Sequence, residues 1–231
     1  MYKKVLFIAA VFLLGSFLWA GDTAVFVDLG FSPDGRTYMF GQYGIQSETL
    51  RPWADLYIVD VPNNNFVSGG RISYTHDGSV VAGQDGSGAL YRLIARNAAL
   101  AERHNIGFLF QGQPLYVSLN NGSGSSGESI EFRDFEKSAS FRANLNALVE
   151  GSGTAAKSSF FINLERRGSD GVVKNYTVGN PQIKRQGITG YQIRKVMVAP
   201  KDGSIVFVIE MRKPNASGGV DLRYMVEALR L

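Results

Sequence analysis

The stretch AVFVDLGFSPDGRTYMFGQYG, residues 24–44, decides the fold class of this chain. Apolar and polar residues alternate on both sides of Ser32-Pro33-Asp34-Gly35, as they do in two half-buried strands joined by a tight turn. Pro33 presets the backbone angle of the first turn position, and Gly35 tolerates the positive φ at which such turns end. The sequence therefore predicts a hairpin with strands at about residues 25–31 and 36–43.

The same order of strands and turns continues downstream and returns near the C-terminus. Residues 56–61 and 66–67 read as third and fourth strands, which completes a four-stranded meander. Residues 194–199, 204–211 and 220–229 repeat the order, and residues 71–83 form a weaker copy. Five of the 11 Asp residues precede Gly, and four of these pairs stand between predicted strands. This repetition predicts antiparallel sheets.

Two resemblances follow from these residues. FSPDGRTYMF followed by ADLYIVDV resembles, over about 40 residues, the repeat of bacterial periplasmic β-propellers, whose blades carry a Ser-Pro-Asp-Gly turn. The Phe-Ser-Pro-Asp-Gly turn, the segment Phe40-Gly41-Gln42 and a downstream Ala- and Arg-rich helix more closely resemble a family of predicted secreted bacterial proteins, domain of unknown function 2259. That resemblance implies similarity over most of the chain, and it implies no catalytic residue because the family has no assigned activity.

The remaining elements fit a mainly β fold. Leu90, Leu93, Ile94, Ala98 and Ala101 have the spacing of one helical face, which predicts one helix at about residues 88–104 with Ser87 as its N-cap. Residues 120–129, NNGSGSSGES, contain no apolar side chain, and we expect a flexible loop there. With about ten to twelve strands, we expect antiparallel meanders in a propeller-like or sandwich-like arrangement, and residues 21–231 as a single β-rich domain.

The first 20 residues have the features of a signal peptide. Lys3 and Lys4 precede an apolar run that ends at Trp19, and small Ala20 is the expected cleavage position. The run is shorter than the ~20 residues of a membrane-spanning helix, so we expect export to the periplasm or beyond and no stable membrane span after cleavage. An uncleaved anchor is the alternative. The chain contains no Cys, which excludes disulfides and a lipidated cysteine.

Charge and motifs exclude several classes of protein. The formal charge of +4 includes Lys3 and Lys4, so residues 21–231 carry only +2, and dispersed basic pairs do not predict nucleic acid as a partner. No GxGxxG segment opens a helix after a strand, and neither a Gly-Lys-Ser/Thr phosphate-binding loop nor an EF-hand spacing occurs. His76 and His104 are the only histidines. We therefore assign no catalytic, cofactor-binding or metal-ligating residue and expect no cofactor.

The segment between the second and third strands is the candidate recognition surface. It carries Tyr43, Gln46, Arg51 and Trp53, and Tyr, Trp and Arg are the residue types that most often dominate binding. Alternatively, Trp53 and Tyr43 simply pack against the sheet. The principal hypothesis is a non-enzymatic envelope or periplasmic interaction module whose candidate partner is an envelope protein.

A hydrolase of envelope glycans or peptides is the competing hypothesis, and a purely structural envelope component is a third. Hydrolysis would need two facing carboxylates in a cleft. Most of the candidates are predicted on exposed strand positions: Asp28, Asp55, Asp60, Glu131, Glu165 and Glu210.

Overall fold

The computed structural model describes residues 21–119 and 127–231, which contain thirteen β-strands, two α-helices and a short 3-10 turn at Gly153–Ala155. Predicted signal residues 1–20 and residues 120–126 of the predicted loop lie outside this range. Within it, no helix is long and apolar enough to cross a membrane. The strands are β1 Val25–Phe31, β2 Thr37–Ile45, β3 Pro52–Asp60, β4 Asn65–Thr75, β5 Gln113–Val117, β6 Glu128–Asp134, β7 Ala139–Glu150, β8 Lys157–Arg167, β9 Val173–Val178, β10 Arg185–Gln186, β11 Gly190–Val198, β12 Ile205–Pro214 and β13 Val220–Leu229.

The strands form three antiparallel sheets. The N-terminal sheet has the order β1-β2-β3-β4, which confirms the predicted meander. The middle sheet has the order β13-β12-β11-β5, and the distal sheet has the order β10-β8-β7-β6, with β9 also paired to β8. The Asp34-Gly35 turn joins β1 to β2 as expected, with Gly35 at φ 75° and the Asp34 carboxylate accepting hydrogen bonds from Ser32 and Arg36.

The middle sheet is covered on both of its faces, and β12 shows this residue by residue. Ile205, Phe207 and Ile209 pack with the distal sheet, whereas Val206 and Val208 pack with the N-terminal sheet. All five side chains are 0–1% exposed. Because alternate residues of a strand point to opposite faces, one strand contributes to both hydrophobic cores. The three sheets are stacked, so the sandwich-like expectation is confirmed and a propeller-like arrangement is not shown.

A helical layer closes the outer face of the N-terminal sheet. Helices α1 (Ser87–Arg96) and α2 (Ala98–Arg103) bury Leu90 and Leu93 against Met39 and Leu56. The predicted single helix at 88–104 is therefore two helices, interrupted at Asn97. The Asn97 side chain donates a hydrogen bond to the Leu93 carbonyl, which offers the backbone an alternative to continuing the helix.

Three further expectations need adjustment. Residues 71–75 belong to β4, so the weaker copy at 71–83 is not a separate hairpin, and Asp77-Gly78 lies in the connection to α1. Ser87 is the first residue of α1 and not its N-cap, since the N-cap is Gly86, which has no side-chain capping hydrogen bond. Glu128 and Ser129, predicted in the loop, already belong to β6.

Candidate functional site

Trp53 lies inside the molecule, between the N-terminal sheet and the first residues of strand β13. Its side chain is 6% exposed, and its indole N–H donates a hydrogen bond to the Asp22 carboxylate at 2.6 Å. The Arg223 guanidinium lies 4.1 Å from the centre of the indole ring and also donates to Asp22, at 2.7 Å. Tyr43 is half-buried against the core beneath α1. These two aromatic residues thus position the segment that connects β2 to β3.

Gln46 and Arg51 lie in the connection itself, which folds as a compact loop. The Gln46 backbone N–H donates to the Arg51 carbonyl, and the Thr49 hydroxyl donates to the Gln46 side chain at 2.6 Å. The Arg51 guanidinium reaches the next connection, where it donates to the His76 carbonyl and pairs with Asp77 at 3.3 Å. The structure therefore does not bring the four predicted residues to one exposed patch: Gln46 and Arg51 approach the surface, while Tyr43 and Trp53 support the loop from below.

A groove of about 440 Å³ lies beside this loop. We call it the α1 groove, because the first turns of α1 form one wall and the end of β4 with the β4–α1 connection forms the other. Pro52 links its base to β3 and so to the predicted loop. The side chains that can bind a ligand there are Tyr74, His76, Ser79, Gln84, Asp85 and Arg92.

Tyr74 is the centre of a polar relay in the α1 groove. Arg92 donates a hydrogen bond to the Tyr74 hydroxyl at 2.8 Å, and that hydroxyl lies 3.1 Å from His76 Nδ1. The guanidinium groups of Arg92 and Arg96 each lie 5.4 Å from the centre of the Tyr74 ring. The hydroxyl accepts from Arg92 and also lies within hydrogen-bond distance of His76 Nδ1, where the imidazole tautomer decides which atom donates. The relay presents the hydrogen-bond donors of Arg92 to a ligand.

The buried carboxylates of the hydrolase hypothesis are held in structural pairs. Glu210 is 3% exposed, contrary to the expectation of an exposed position, and lies 3.4 Å from Arg194 and 3.7 Å from Arg212. Asp28 pairs with Lys195 at 2.7 Å between the N-terminal and middle sheets. The Arg194–Glu210 pair joins neighbouring strands β11 and β12, the Asp28–Lys195 pair joins two sheets, and neither carboxylate lines the α1 groove.

The remaining four candidates have separate surroundings. Asp55 accepts a hydrogen bond from Gln42 at 3.1 Å, and Asp60 accepts two from Asn63 in the β3–β4 turn. Glu131 and Glu165 lie on the outer face of the distal sheet, on either side of Arg142. Arg142 pairs with Glu131 at 2.8 Å, so a positive charge occupies the place between the two carboxylates. Among residues 21–119 and 127–231, no group of three or more His, Cys, Asp or Glu side chains could hold a metal ion.

A family model described as "Predicted secreted protein (DUF2259)" matches residues 39–230. This chain belongs to that family. The matched range runs from within β2 to just past the end of β13, so it includes the α1 groove and every strand except β1 and the start of β2. Membership confirms the resemblance and identifies a predicted secreted protein, without distinguishing the periplasm from the exterior. Neither a curated protein nor a solved structure matches the chain.

The residues that sequence reasoning did not select are Tyr74, Arg92 and Arg96. In the sequence, Arg92 falls on the polar side of the helical spacing, and Tyr74 falls in the weaker copy at residues 71–83. Their contact depends on how α1 crosses the edge strand β4, which no periodicity specifies. One signal was available: Arg92 and Arg96 are four residues apart, a spacing that places two cations on the same side of a helix.

Proposed function

We propose that this protein is a non-enzymatic interaction module of the periplasm or cell envelope, and that the α1 groove binds its partner. The observation that carries the proposal is the Tyr74 ring in the α1 groove, with two guanidinium groups each 5.4 Å from its centre, of which that of Arg92 also lines the groove. Tyr and Arg are enriched among the residues that dominate binding energy. Neither Arg92 nor Arg96 forms an ion pair with a described residue, so their charges are available to a partner.

The charges of the groove favour an acidic group on the partner. Arg92 lines the groove and Arg96 lies one turn further along α1, beside the Tyr74 ring, whereas Asp85 is the one carboxylate among the residues that line the described groove. A guanidinium can donate two parallel hydrogen bonds to a carboxylate or phosphate. An acidic segment of an envelope protein fits this arrangement, with its apolar neighbours against Ala89 and Pro52.

Two of the residues predicted from sequence belong to this proposal. Arg51 holds the β4–α1 connection through His76 and Asp77, and Gln46 shapes the loop from which Arg51 extends. Tyr43 and Trp53 support that loop from within. The predicted partner-binding segment therefore serves as the rim of the α1 groove in this proposal, and its aromatic residues act through the fold.

The hydrolase hypothesis has less support. Glu131 and Glu165 are the candidates that share a surface. Both line a second groove, of about 410 Å³, on the outer face of the distal sheet, and Arg142 lies between them. A glycosidase excludes water around its acid and places the sugar between its two carboxylates. For the hypothesis of a purely structural envelope component, we identify no observation in the described residues that favours it as the Tyr74 relay favours binding.

The test is the binding of the purified protein to envelope extract from the source organism, with a double Arg92→Gln, Arg96→Gln variant. We expect at least a tenfold loss of binding, because the variant removes both cations and keeps side chains of good helix propensity. The matched control is Arg103→Gln on α2, an exposed cation outside the groove. Circular dichroism verifies that all three proteins are folded. Undiminished binding by the double variant, or an equal loss in the control, would contradict the proposal.

A further inference from the structure

Gly21, the first residue that the structure describes, lies directly on the backbone of β13. A Cβ atom at this position would overlap the carbonyl group of Val220, so no side chain fits there. The next residues run beside β13: the Leu222 N–H donates to the Asp22 carbonyl at 2.9 Å, and the Ala24 N–H donates to the Leu222 carbonyl at 3.2 Å. The chain is therefore fixed from the first residue after the predicted cleavage position.

Asp22 is a buried carboxylate, and only one of its two oxygens accepts hydrogen bonds from described residues. The residue is 4% exposed, and its Oδ2 accepts hydrogen bonds from Trp53 and Arg223. Its Oδ1 is buried and accepts no hydrogen bond from any described residue. Burial raises the pKa of Asp22, an effect that Arg223 opposes. A buried acceptor without a donor is costly, which indicates that this position suits an additional positive group.

A second carboxylate lies at the same position. Asp221 Oδ1 accepts hydrogen bonds from the Asp22 backbone N–H at 2.9 Å and from the Asn215 side chain at 3.0 Å. Two carboxylates thus lie beside the Asp22 backbone, and Arg223 pairs with one of them, that of Asp22. Lys213 on β12 is the cross-strand partner of Asp221. Trp53 and Gly44 approach from the N-terminal sheet, and neither carries a charge.

We infer that the α-ammonium group of Gly21, created by signal peptide removal, is the missing cation. A signal peptidase would break the bond between the Ala20 carbonyl carbon and the Gly21 nitrogen and add water, which leaves a carboxylate on Ala20 and an ammonium on Gly21. Bond lengths place the Gly21 nitrogen within about 4 Å of the Asp22 nitrogen, hence within about 7 Å of Asp221 Oδ1. Before cleavage the same nitrogen is a neutral amide. Processing therefore adds a charge that stabilises the mature fold.

The test uses the full chain, exported and processed in cells, beside a full chain with one Gln inserted between Ala20 and Gly21. Mass spectrometry identifies the first residue of each product. Unfolding temperatures are then measured from about pH 6 to about pH 10, on either side of the ordinary α-amino pKa of about 7.7–8.0. The insertion displaces the ammonium by one residue and leaves Gly21 in its place as an amide.

We expect the natural product to begin at Gly21 and to unfold about 2–4 °C higher than the insertion product near pH 6. Neighbouring carboxylates raise the pKa of the ammonium in the folded state, so its stabilisation is complete below the unfolded value and is lost as pH rises through the folded value. The difference should therefore close near pH 10. Asp221→Asn in both chains should reduce it. A different first residue, equal unfolding temperatures, or a difference that does not depend on pH would overturn the inference.

Discussion

At the scale of single residues, the absence of a side chain at Gly35 allows the β1–β2 turn to contact the β11–β12 turn. A Cβ atom at Gly35 would overlap the backbone carbonyl of Pro200, whereas a Cβ atom at Gly171 would meet no atom within 4 Å. Both glycines have a φ of 75°. The two sites therefore differ in the available space and not in backbone conformation.

Gly35→Ala should cost clearly more stability than Gly171→Ala. The positive φ alone costs about 1–2 kcal/mol at either site, and displacement of the Pro200 backbone adds about 1–3 kcal/mol at position 35. Urea denaturation of both variants measures the free energy of unfolding. Equal losses of free energy of unfolding in the two variants would contradict the argument, because the contact between Gly35 and Pro200 would then contribute nothing.

Glu128 is a carboxylate whose protonation is coupled to folding. Burial raises its pKa, although the Ile193 N–H donates to its Oε2 at 3.0 Å and opposes the rise. For a carboxyl group with a raised pKa, stability is complete below the unfolded value of about 4.3 and is lost as pH rises through the folded value. The folded protein therefore carries a penalty at neutral pH.

Glu128→Gln should raise the free energy of unfolding at about pH 7 and leave it unchanged at about pH 4, because the amide retains an acceptor for Ile193 and never ionises. Denaturant titrations at the two pH values measure this. Glu131→Gln on the same strand is the control, since that side chain is 67% exposed and its pair with Arg142 contributes little. A gain that is equal at both pH values would contradict the assignment.

At the scale of elements, α1 is attached to the N-terminal sheet through one apolar stripe. Leu90 is 1% exposed and packs over Gly41, whereas its neighbour Tyr91 is 67% exposed. Leu90→Ala should lower the free energy of unfolding by about 2–5 kcal/mol because it leaves a cavity under the helix. Tyr91→Ala should change it by about 0.5 kcal/mol or less. Similar values for the two variants, measured by urea denaturation, would contradict this packing.

Several elements were predictable because their signals are local. The hairpin of β1 and β2 follows from alternation around Asp34-Gly35, and β7 follows from inward Phe141, Ala143 and Leu145. The interruption at Asn97 was not predicted, since a side-chain hydrogen bond to Leu93 competes with a periodicity that continues on both sides.

The candidate site was less predictable because its contacts join distant parts of the chain. Trp53 has a residue type suited to binding, but Asp22 and Arg223, from opposite ends of the chain, enclose it. Tyr74 and Arg92 become neighbours only after α1 crosses β4. Alternation predicts which face of a strand is buried, and it does not predict which element covers that face.

At the scale of the whole molecule, both cores share the middle sheet, so residues 21–231 should unfold as one unit. Trp53 is the single tryptophan in that range, and its fluorescence reports on the contact between the N-terminal sheet and β13. Far-ultraviolet circular dichroism reports on all three sheets. The two signals should give the same urea midpoint for the processed protein. A fluorescence transition at lower urea would instead indicate that the N-terminal sheet is a separate unit.

The position of β12 also determines how this protein can change during evolution. Most strands of a soluble sheet have one face on which substitutions are nearly neutral, and such positions accumulate differences between relatives. From Ile205 to Ile209 this strand has no such face, because every side chain lies in one core or the other. A tolerated substitution at any of these five positions must fit the packing of the core that its side chain enters, and successive positions enter different cores. We therefore expect this stretch to diverge more slowly among family members than β9, whose side chains are mostly exposed.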